Sequence, residues 1–260
     1  MVASVIVLDL DGTLLNSNKQ VSNRNLNAVL NCYKSGKRII IATARPPRSV
    51  KTFLPKEILE VSSFVFYNGA FILDKKLGLE EHNSIPKENS TKILAYCNEF
   101  LPQCKISIEE KDKWYSNQEI SDSSIYNLKF SPNILPTEQL KEIKATKILL
   151  SDFDKDKLEK LQLILGEEVN LTVTDNGKLI QIMNKDISKK TGVLRLCSYY
   201  GVNPSEVIVF GDDYNDIEMF RLSGYAVAMS NAVSELKDIA NEVTDTNDND
   251  GVAKVLERII

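Results

Sequence analysis

The feature that most constrains this chain is the run Val5-Ile6-Val7-Leu8, followed at once by Asp9-Leu10-Asp11-Gly12-Thr13. A short apolar run without polar alternation suits a strand buried on both faces, the situation of a parallel sheet covered by helices. Along extended backbone, residues two apart point the same way, so Asp9 and Asp11 project together at the strand's carboxyl end. Gly12 lets the chain turn sharply there. Ligands of open α/β sheets bind outside the carboxyl ends of the strands, which puts a candidate site at this turn. Taken alone, the cluster reads equally well as an Asp/Gly turn that ends a strand.

The surrounding sequence repeats the theme. Ser22 stands where a helix cap is expected, ahead of Leu26, Val29, Leu30 and Tyr33 at helical spacing, and Gly36 closes that helix. Arg38-Ile39-Ile40-Ile41-Ala42 and Phe64-Val65-Phe66-Tyr67 read as further buried strands. Near the C-terminus, a helix through Leu194–Tyr200 closes at Gly201, and a strand follows over Glu206–Phe210. A helix through Ile217, Met219 and Leu222, a strand Tyr225–Ala228 and a last helix capped by Asp250 complete the pattern. Strand–helix alternation of this kind implies right-handed crossovers and a parallel sheet.

Residues 83–184 have a different texture. A helix over Ser90–Phe100 is followed by short strands at Lys105–Glu109, Trp114–Asn117 and Lys147–Leu150 and a helix over Lys155–Leu165. Val169–Thr174 and Lys178–Ile182 flank an Asn176-Gly177 hairpin turn. The expected class is α/β, a Rossmann-like parallel-sheet core made of 1–82 and 185–260 with an inserted α+β cap of 83–184.

Composition narrows the function classes. With 32 Lys plus Arg against 36 Asp plus Glu, the net charge of −4 lacks the basic footprint of a nucleic-acid binder. No apolar run approaches the roughly 18 residues of a membrane span, and no leader is evident at the N-terminus. Four cysteines without a C-x-x-C pair suit a reduced, cytoplasmic protein. One histidine, His82, leaves little material for histidine-based catalysis. The segment Asp245–Gly251 lacks the glycine and glutamate that a calcium loop needs at its sixth and twelfth positions. Trp114 and Tyr115 read as packing in the insert's sheet, with a substrate-facing role as the alternative.

Two more strand ends carry chemistry. Ile41-Ala42 runs into Thr43-Ala44-Arg45, and Val209-Phe210 into Gly211-Asp212-Asp213-Tyr214-Asn215-Asp216. A helix beginning at Asp212 would set Asp212 and Asp216 one turn apart on one side, with Asp213 as a capping or solvated acid. Asp9, Asp11, Asp212 and Asp216 would then put four carboxylates together, a charge that only a cation makes tolerable. Oxygen-only donors suggest magnesium.

With these motifs in order and spacing, the sequence resembles the haloacid dehalogenase superfamily phosphatases, in particular the Cof-type group with a large α/β cap. The matching segments are Asp9–Leu14, Ala42–Arg45, Ile187-Ser188-Lys189 and Gly211–Asp216, with Asn68-Gly69-Ala70 and Asp250-Gly251-Val252 as secondary signatures. The resemblance implies Asp9 as nucleophile through an aspartyl-phosphate, and Asp11 as the acid that protonates the leaving oxygen and then activates water. It implies Thr43 and Lys189 as phosphoryl-binding catalytic groups, and substrate contacts from Leu10, Ala44, Arg45, Asn68 and Gly69. It also implies Mg²⁺ held by Asp9, the carbonyl of Asp11, and Asp212, supported by Asn215 and Asp216. Ala44 stands where the group commonly has glycine, and Lys189 is followed by Lys190, which leaves either lysine available for the role. The implied substrate is a small-molecule phosphate ester, with no nucleic acid or membrane partner, acted on by a monomer or small homo-oligomer. Competing readings are a phosphomutase of the same fold and a regulatory phosphate- or metal-binding protein. A signalling receiver module is a poorer match, because it lacks a cap-sized insertion.

Overall fold

The computed structural model describes residues 3–123, 129–153 and 155–259, with only the backbone described at 155–158 and 175. It divides into two compact units, Met1–Glu81 with Ser188–Ile260, and His82–Ile187.

The first unit is α/β. The apolar run forms β1 (Val5–Asp9), buried at every position, and the chain returns through α1 (Asn23–Lys34) to β2 (Arg38–Ala42). Helices α2 (Pro47–Phe53) and α3 (Lys56–Val61) lead to β3 (Ser62–Phe66), and β4 (Phe71–Asp74) and β5 (Leu79–His82) follow. In the second unit come α4 (Lys87–Phe100), β6 (Lys105–Glu110), β7 (Lys113–Ser116), β8 (Asn133–Ile134) and α5 (Thr137–Leu140). That unit ends with β9 (Lys147–Ser151), α6 (Lys155–Leu165), β10 (Val169–Thr174) and β11 (Leu179–Asn184). The chain re-enters the first unit with α7 (Lys189–Tyr200), β12 (Val207–Gly211), α8 (Ile217–Leu222) and β13 (Tyr225–Ala228). Helix α9 (Ser234–Ile239), β14 (Glu242–Val243) and α10 (Gly251–Leu256) complete it.

The core sheet has the order β14-β13-β12-β1-β2-β3-β4-β5. It is parallel from β14 to β3, and β4 runs antiparallel to β3. Its central strands β1 and β12 are wholly buried, as uninterrupted apolar runs require. The order puts β1 between β12 and β2, so Asp9, Asp212 and Thr43 emerge at the carboxyl ends of three adjacent parallel strands. The second unit's sheet, β10-β11-β9-β6-β7-β8, is antiparallel except for the β7–β8 pair. Its core joins Ile93, Leu94 and Cys97 of α4 to Ile106, Ile108, Ile148 and Ile180 of the sheet. Trp114 is buried in a smaller cluster with Leu149 and Leu179.

Two local expectations change. The buried stripe of α1 is Asn25, Ala28, Val29 and Cys32, with Tyr33 exposed. A polar residue joins the core here because the Asn25 amide oxygen accepts from the Ala253 amide. Asp250 makes no capping bond to α10, since its backbone is left-handed (φ 57°) and its carboxylate accepts from the Ser22 hydroxyl instead. The two-residue β8 had no apolar pattern by which to be anticipated. Ser22 does cap α1, and Gly36 (φ 91°) ends it with Lys37 N–H donating to Cys32 and Gly36 N–H to Tyr33. All four cysteines are buried free thiols. Among the described residues no helix is long and apolar enough to cross a membrane.

Candidate active site

Asp9 ends β1, and Gly211, the last residue of β12, hands the chain to Asp212. One carboxylate oxygen each from Asp9, Asp212 and Asp216 lie within 4.8 Å of one another. The helix expected from Asp212 begins later. Asp213 caps a single 3₁₀ turn, Tyr214–Asp216, and α8 starts only at Ile217. That turn aims Asp216 back under the loop. Its Oδ2 accepts from the Asp212 and Asp213 amides at 3.0 and 3.2 Å, and its Oδ1 accepts from Lys189 Nζ at 2.8 Å.

Lys189 is the only cation bonded into this cluster among the described residues. It opens α7, whose cap Ser188 forms a capping box with Thr191. Its Nζ lies 2.5 Å from Asp9 Oδ1 and 3.2 Å from Asn215 Oδ1, with the residue 1% exposed. Lys190 points elsewhere, to Glu218 at 3.6 Å. Burial favours the neutral amine, but the Asp216 and Asp9 charges outweigh it and hold the Lys189 pKa above its ordinary value. Burial pushes the Asp9 carboxyl well up, and the Asp216 and Asp212 charges add to that against Lys189. Asp212 rises to about 6, through burial and the Asp216 charge, against the hydroxyl of Thr13, which donates to its Oδ1 at 2.9 Å. Three carboxylates facing one ammonium leave a buried excess of negative charge, and two of them resist ionisation. The donors are all oxygen. A hard divalent cation fits this set, held by Asp9 and Asp212, while Asp216 already spends both oxygens on Lys189 and the loop amides.

Asp11 does not join the cluster, so the expected group of four carboxylates is three. Its Oδ2 accepts from Arg45 Nε at 2.5 Å, and its Oδ1 accepts from Arg45 Nη2 and Lys19 Nζ, both at 2.8 Å. Burial alone would raise its pKa, but these two cations hold it below the ordinary value. Thr43 is buried and its hydroxyl accepts from the Arg45 amide at 3.1 Å, leaving the hydroxyl hydrogen free to donate. Ala44 is exposed and is not among the residues with positive φ, so its methyl group is accommodated without backbone strain. The Leu10 side chain is fully buried and offers no side-chain contact to a ligand. Tyr67, Asn68 and Gly69 adopt three consecutive positive φ values, and the Asn68 amide donates to Thr43 O. Asn215 Nδ2 reaches Asn68 Oδ1 at 3.4 Å, joining the second, third and fourth strand-end segments.

Three features here were not foreseen as site residues. Thr13 fixes Asp212. Lys19, in a left-handed turn (φ 58°), pairs with Asp11, and nothing in its spacing announces it. Gly12 (φ 77°) is needed for close approach as well as for turning, because a Cβ there would stand 2.1 Å from Asp212 Oδ2.

The chain is similar to known proteins along nearly its whole length. The family model described as haloacid dehalogenase-like hydrolase matches residues 6–256. A Bacillus subtilis protein named 5-amino-6-(5-phospho-D-ribitylamino)uracil phosphatase YitU is 28% identical, over 97% of this chain and 96% of its own. Phosphatase YwpJ of the same organism is 29% identical, over 98% and 99%. A Thermotoga maritima crystal structure superposes with a TM-score of 0.87 at 27% identity, covering 99% of this chain and 98% of the other. With nearly its whole length matched by one family model, the chain belongs to the haloacid dehalogenase-like hydrolases and, within them, to the Cof-type phosphatases.

Proposed function

We propose that the protein hydrolyses a small phosphate monoester through a phosphorylated Asp9, with Mg²⁺ as its cofactor. The observation that carries this reading is the Asp9–Asp212–Asp216 cluster facing Lys189 at the ends of β1 and β12. A bound Mg²⁺ would neutralise the carboxylates and the phosphoryl oxygens.

The chain's own groups do the rest. Lys189 holds the Asp9 carboxylate in one orientation for attack on phosphorus, which splits hydrolysis into two displacements. The Thr43 hydroxyl donates to a phosphoryl oxygen, and the Leu10 and Asn68–Gly69 segments are assigned to contacts with the same substrate. Asp11, once it has taken up a proton from solvent, gives it to the leaving oxygen and later takes one from the attacking water. To do so it exchanges Arg45 and Lys19 for those oxygens. The choice among esters is assigned to the insert, residues 83–184.

The discriminating experiment is rapid-quench kinetics with p-nitrophenyl phosphate. Asp9→Asn should form no covalent intermediate. Asp11→Asn should show a burst, because the aryl leaving group needs no proton while water attack then lacks its base; loss of that base slows turnover about 10²–10⁴-fold. A burst from Asp9→Asn would overturn the assignment.

A further inference from the structure

The core sheet has a second concave surface at the opposite edge from Asp9. It is a pocket of about 420 Å³ at the amino-terminal ends of β2 and β3, within the roughly 300–1,000 Å³ of small-molecule sites. Four cations line it from three separate elements. Lys34 is in the last turn of α1, Lys37 and Arg38 lead into β2, and Lys76 lies in the turn after β4. Complementing the carboxyl end of α1 accounts for Lys34 and Lys37. It does not account for Arg38 or Lys76, which belong to other elements.

The cations are not used up by the fold. Lys37 and Lys76 each give one bond to a backbone carbonyl, of Ala3 and Val61, both at 3.1 Å. Lys76 Nζ lies 4.0 Å from the centre of the Tyr33 ring, and the Arg38 guanidinium 4.1 Å from that of Tyr200. Lys34 has no polar partner among the described residues. The single carboxylate in the lining, Asp74, is already satisfied. It accepts from the Ser63 and Tyr200 hydroxyls at 2.7 Å each, and from the Lys76 and Leu77 amides. Burial would raise its pKa, but these donors outweigh it and hold it below the ordinary value. The pocket therefore presents net positive charge on a chain whose net charge is −4.

We infer that this pocket binds a small molecule carrying two or more phosphoryl groups. Four cations around so small a volume match several negative charges held close together, which a single carboxylate or monoester does not supply. Guanidinium and ammonium groups are the usual recognition elements for phosphoryl oxygens. The phosphoryl groups could belong to an inorganic diphosphate or to a nucleotide, which share this chemistry.

The test is calorimetric titration of the full-length protein with two hydrolysis-resistant probes, methylenediphosphonate and α,β-methylene-ADP. Both are repeated on Lys34→Glu and Lys76→Glu, with kcat/KM for p-nitrophenyl phosphate measured alongside. Lys34 is exposed and bonded to no described residue, so its charge reversal breaks no contact and costs only a small loss of complementarity at the carboxyl end of α1. The expected result is about tenfold weaker binding in each variant, with kcat/KM within about twofold of the parent. Binding of both probes would identify the phosphoryl groups as sufficient, and binding of the nucleotide alone would add the nucleoside to the recognised ligand. Absence of binding for both probes at millimolar concentration overturns the inference. So does an affinity unchanged in the charge-reversed variants, which would place the probes at the Asp9 cluster.

Discussion

The two edges of the core sheet handle buried charge in opposite ways. At the carboxyl edge, Asp9, Asp212 and Asp216 share one lysine, and burial with mutual repulsion holds the first two above their ordinary pKa values. At the amino edge, buried Asp74 is alone with two hydroxyls and two amides, and its pKa is lowered. A carboxylate can therefore be buried in this fold at little strain when neutral donors surround it. The carboxyl edge is built otherwise. Its charge is left unbalanced, which disfavours the metal-free fold and makes sense where a cation and a phosphoryl group are to be received.

The largest expected effect comes from removing the one cation that opposes this imbalance. Lys189→Met leaves Asp9 and Asp216 buried without their partner. Breaking one side of a buried ion pair typically costs about 3–5 kcal/mol, and losing one phosphoryl-side donor costs on the order of 10²–10³ in kcat. Denaturant unfolding in chelator and steady-state kinetics in magnesium would measure the two losses separately. A variant as stable as the parent would show that the carboxylates protonate without penalty, and the contrast between the edges would fail.

Gly12→Ala attacks the same edge through shape. The new methyl group would lie 2.1 Å from Asp212 Oδ2 on a backbone at φ 77°, so the carboxylate or the loop must move. We expect kcat/KM to fall by about 10²-fold, the scale on which small misplacements of reacting groups register. A loss below about threefold would mean that the Asp212 position is not critical.

Much of this edge was legible in the sequence, for a physical reason. Uninterrupted apolar runs specify buried parallel strands, and the polar residues directly after them have only the strand ends to occupy. That puts Asp9, Thr43 and Asp212 at strand ends, and the sheet order β12-β1-β2 makes those strands neighbours. The side-chain partners were less legible. Asp9 and Asp11 point the same way only while the chain stays extended; it leaves the strand at Leu10, and Asp11 finds Arg45 and Lys19, the latter from a loop whose approach no spacing encodes. The buried face of α1 is turned from its apolar spacing because Asn25 is buried by a bond to Ala253, a residue 228 positions away. The amino-edge pocket has no motif at all, since its cations come from a helix end, a strand start and a turn.

The pH dependence of stability should expose the imbalance directly. Groups whose folded pKa is raised stabilise the fold below their unfolded pKa, near 4 for Asp, and that contribution is lost as pH rises through the folded value. For Asp212 the folded value is about 6, and Asp9 shifts in the same direction. In chelator, stability should therefore decline between about pH 4 and pH 6.5, by about 1–2 kcal/mol after allowing for the partial exposure of Asp212. The lowered Asp11 has the opposite sign, but its loss falls below about pH 4, outside this window. Magnesium favours the ionised carboxylates and should flatten the decline. Parallel stability–pH curves with and without magnesium would show that the cation does not engage these acids.

The smallest effect sharpens the comparison by removing chemistry from it. Gly36 sits at the amino edge, ends α1 with φ 91°, and would place a Cβ in open space, with nothing within 4 Å. Gly36→Ala therefore meets no clash, and the left-handed backbone is its only penalty, about 1–2 kcal/mol for an L-residue. Gly12→Ala carries a backbone penalty of the same kind, so the pair separates conformational strain from displacement of Asp212. Gly36→Ala should lower the denaturation midpoint and leave kcat/KM for p-nitrophenyl phosphate within about 1.5-fold of the parent. If Gly36→Ala lost as much activity as Gly12→Ala, strain anywhere in the core would be reaching the carboxylates, and the loss in Gly12→Ala could not be assigned to the 2.1 Å contact.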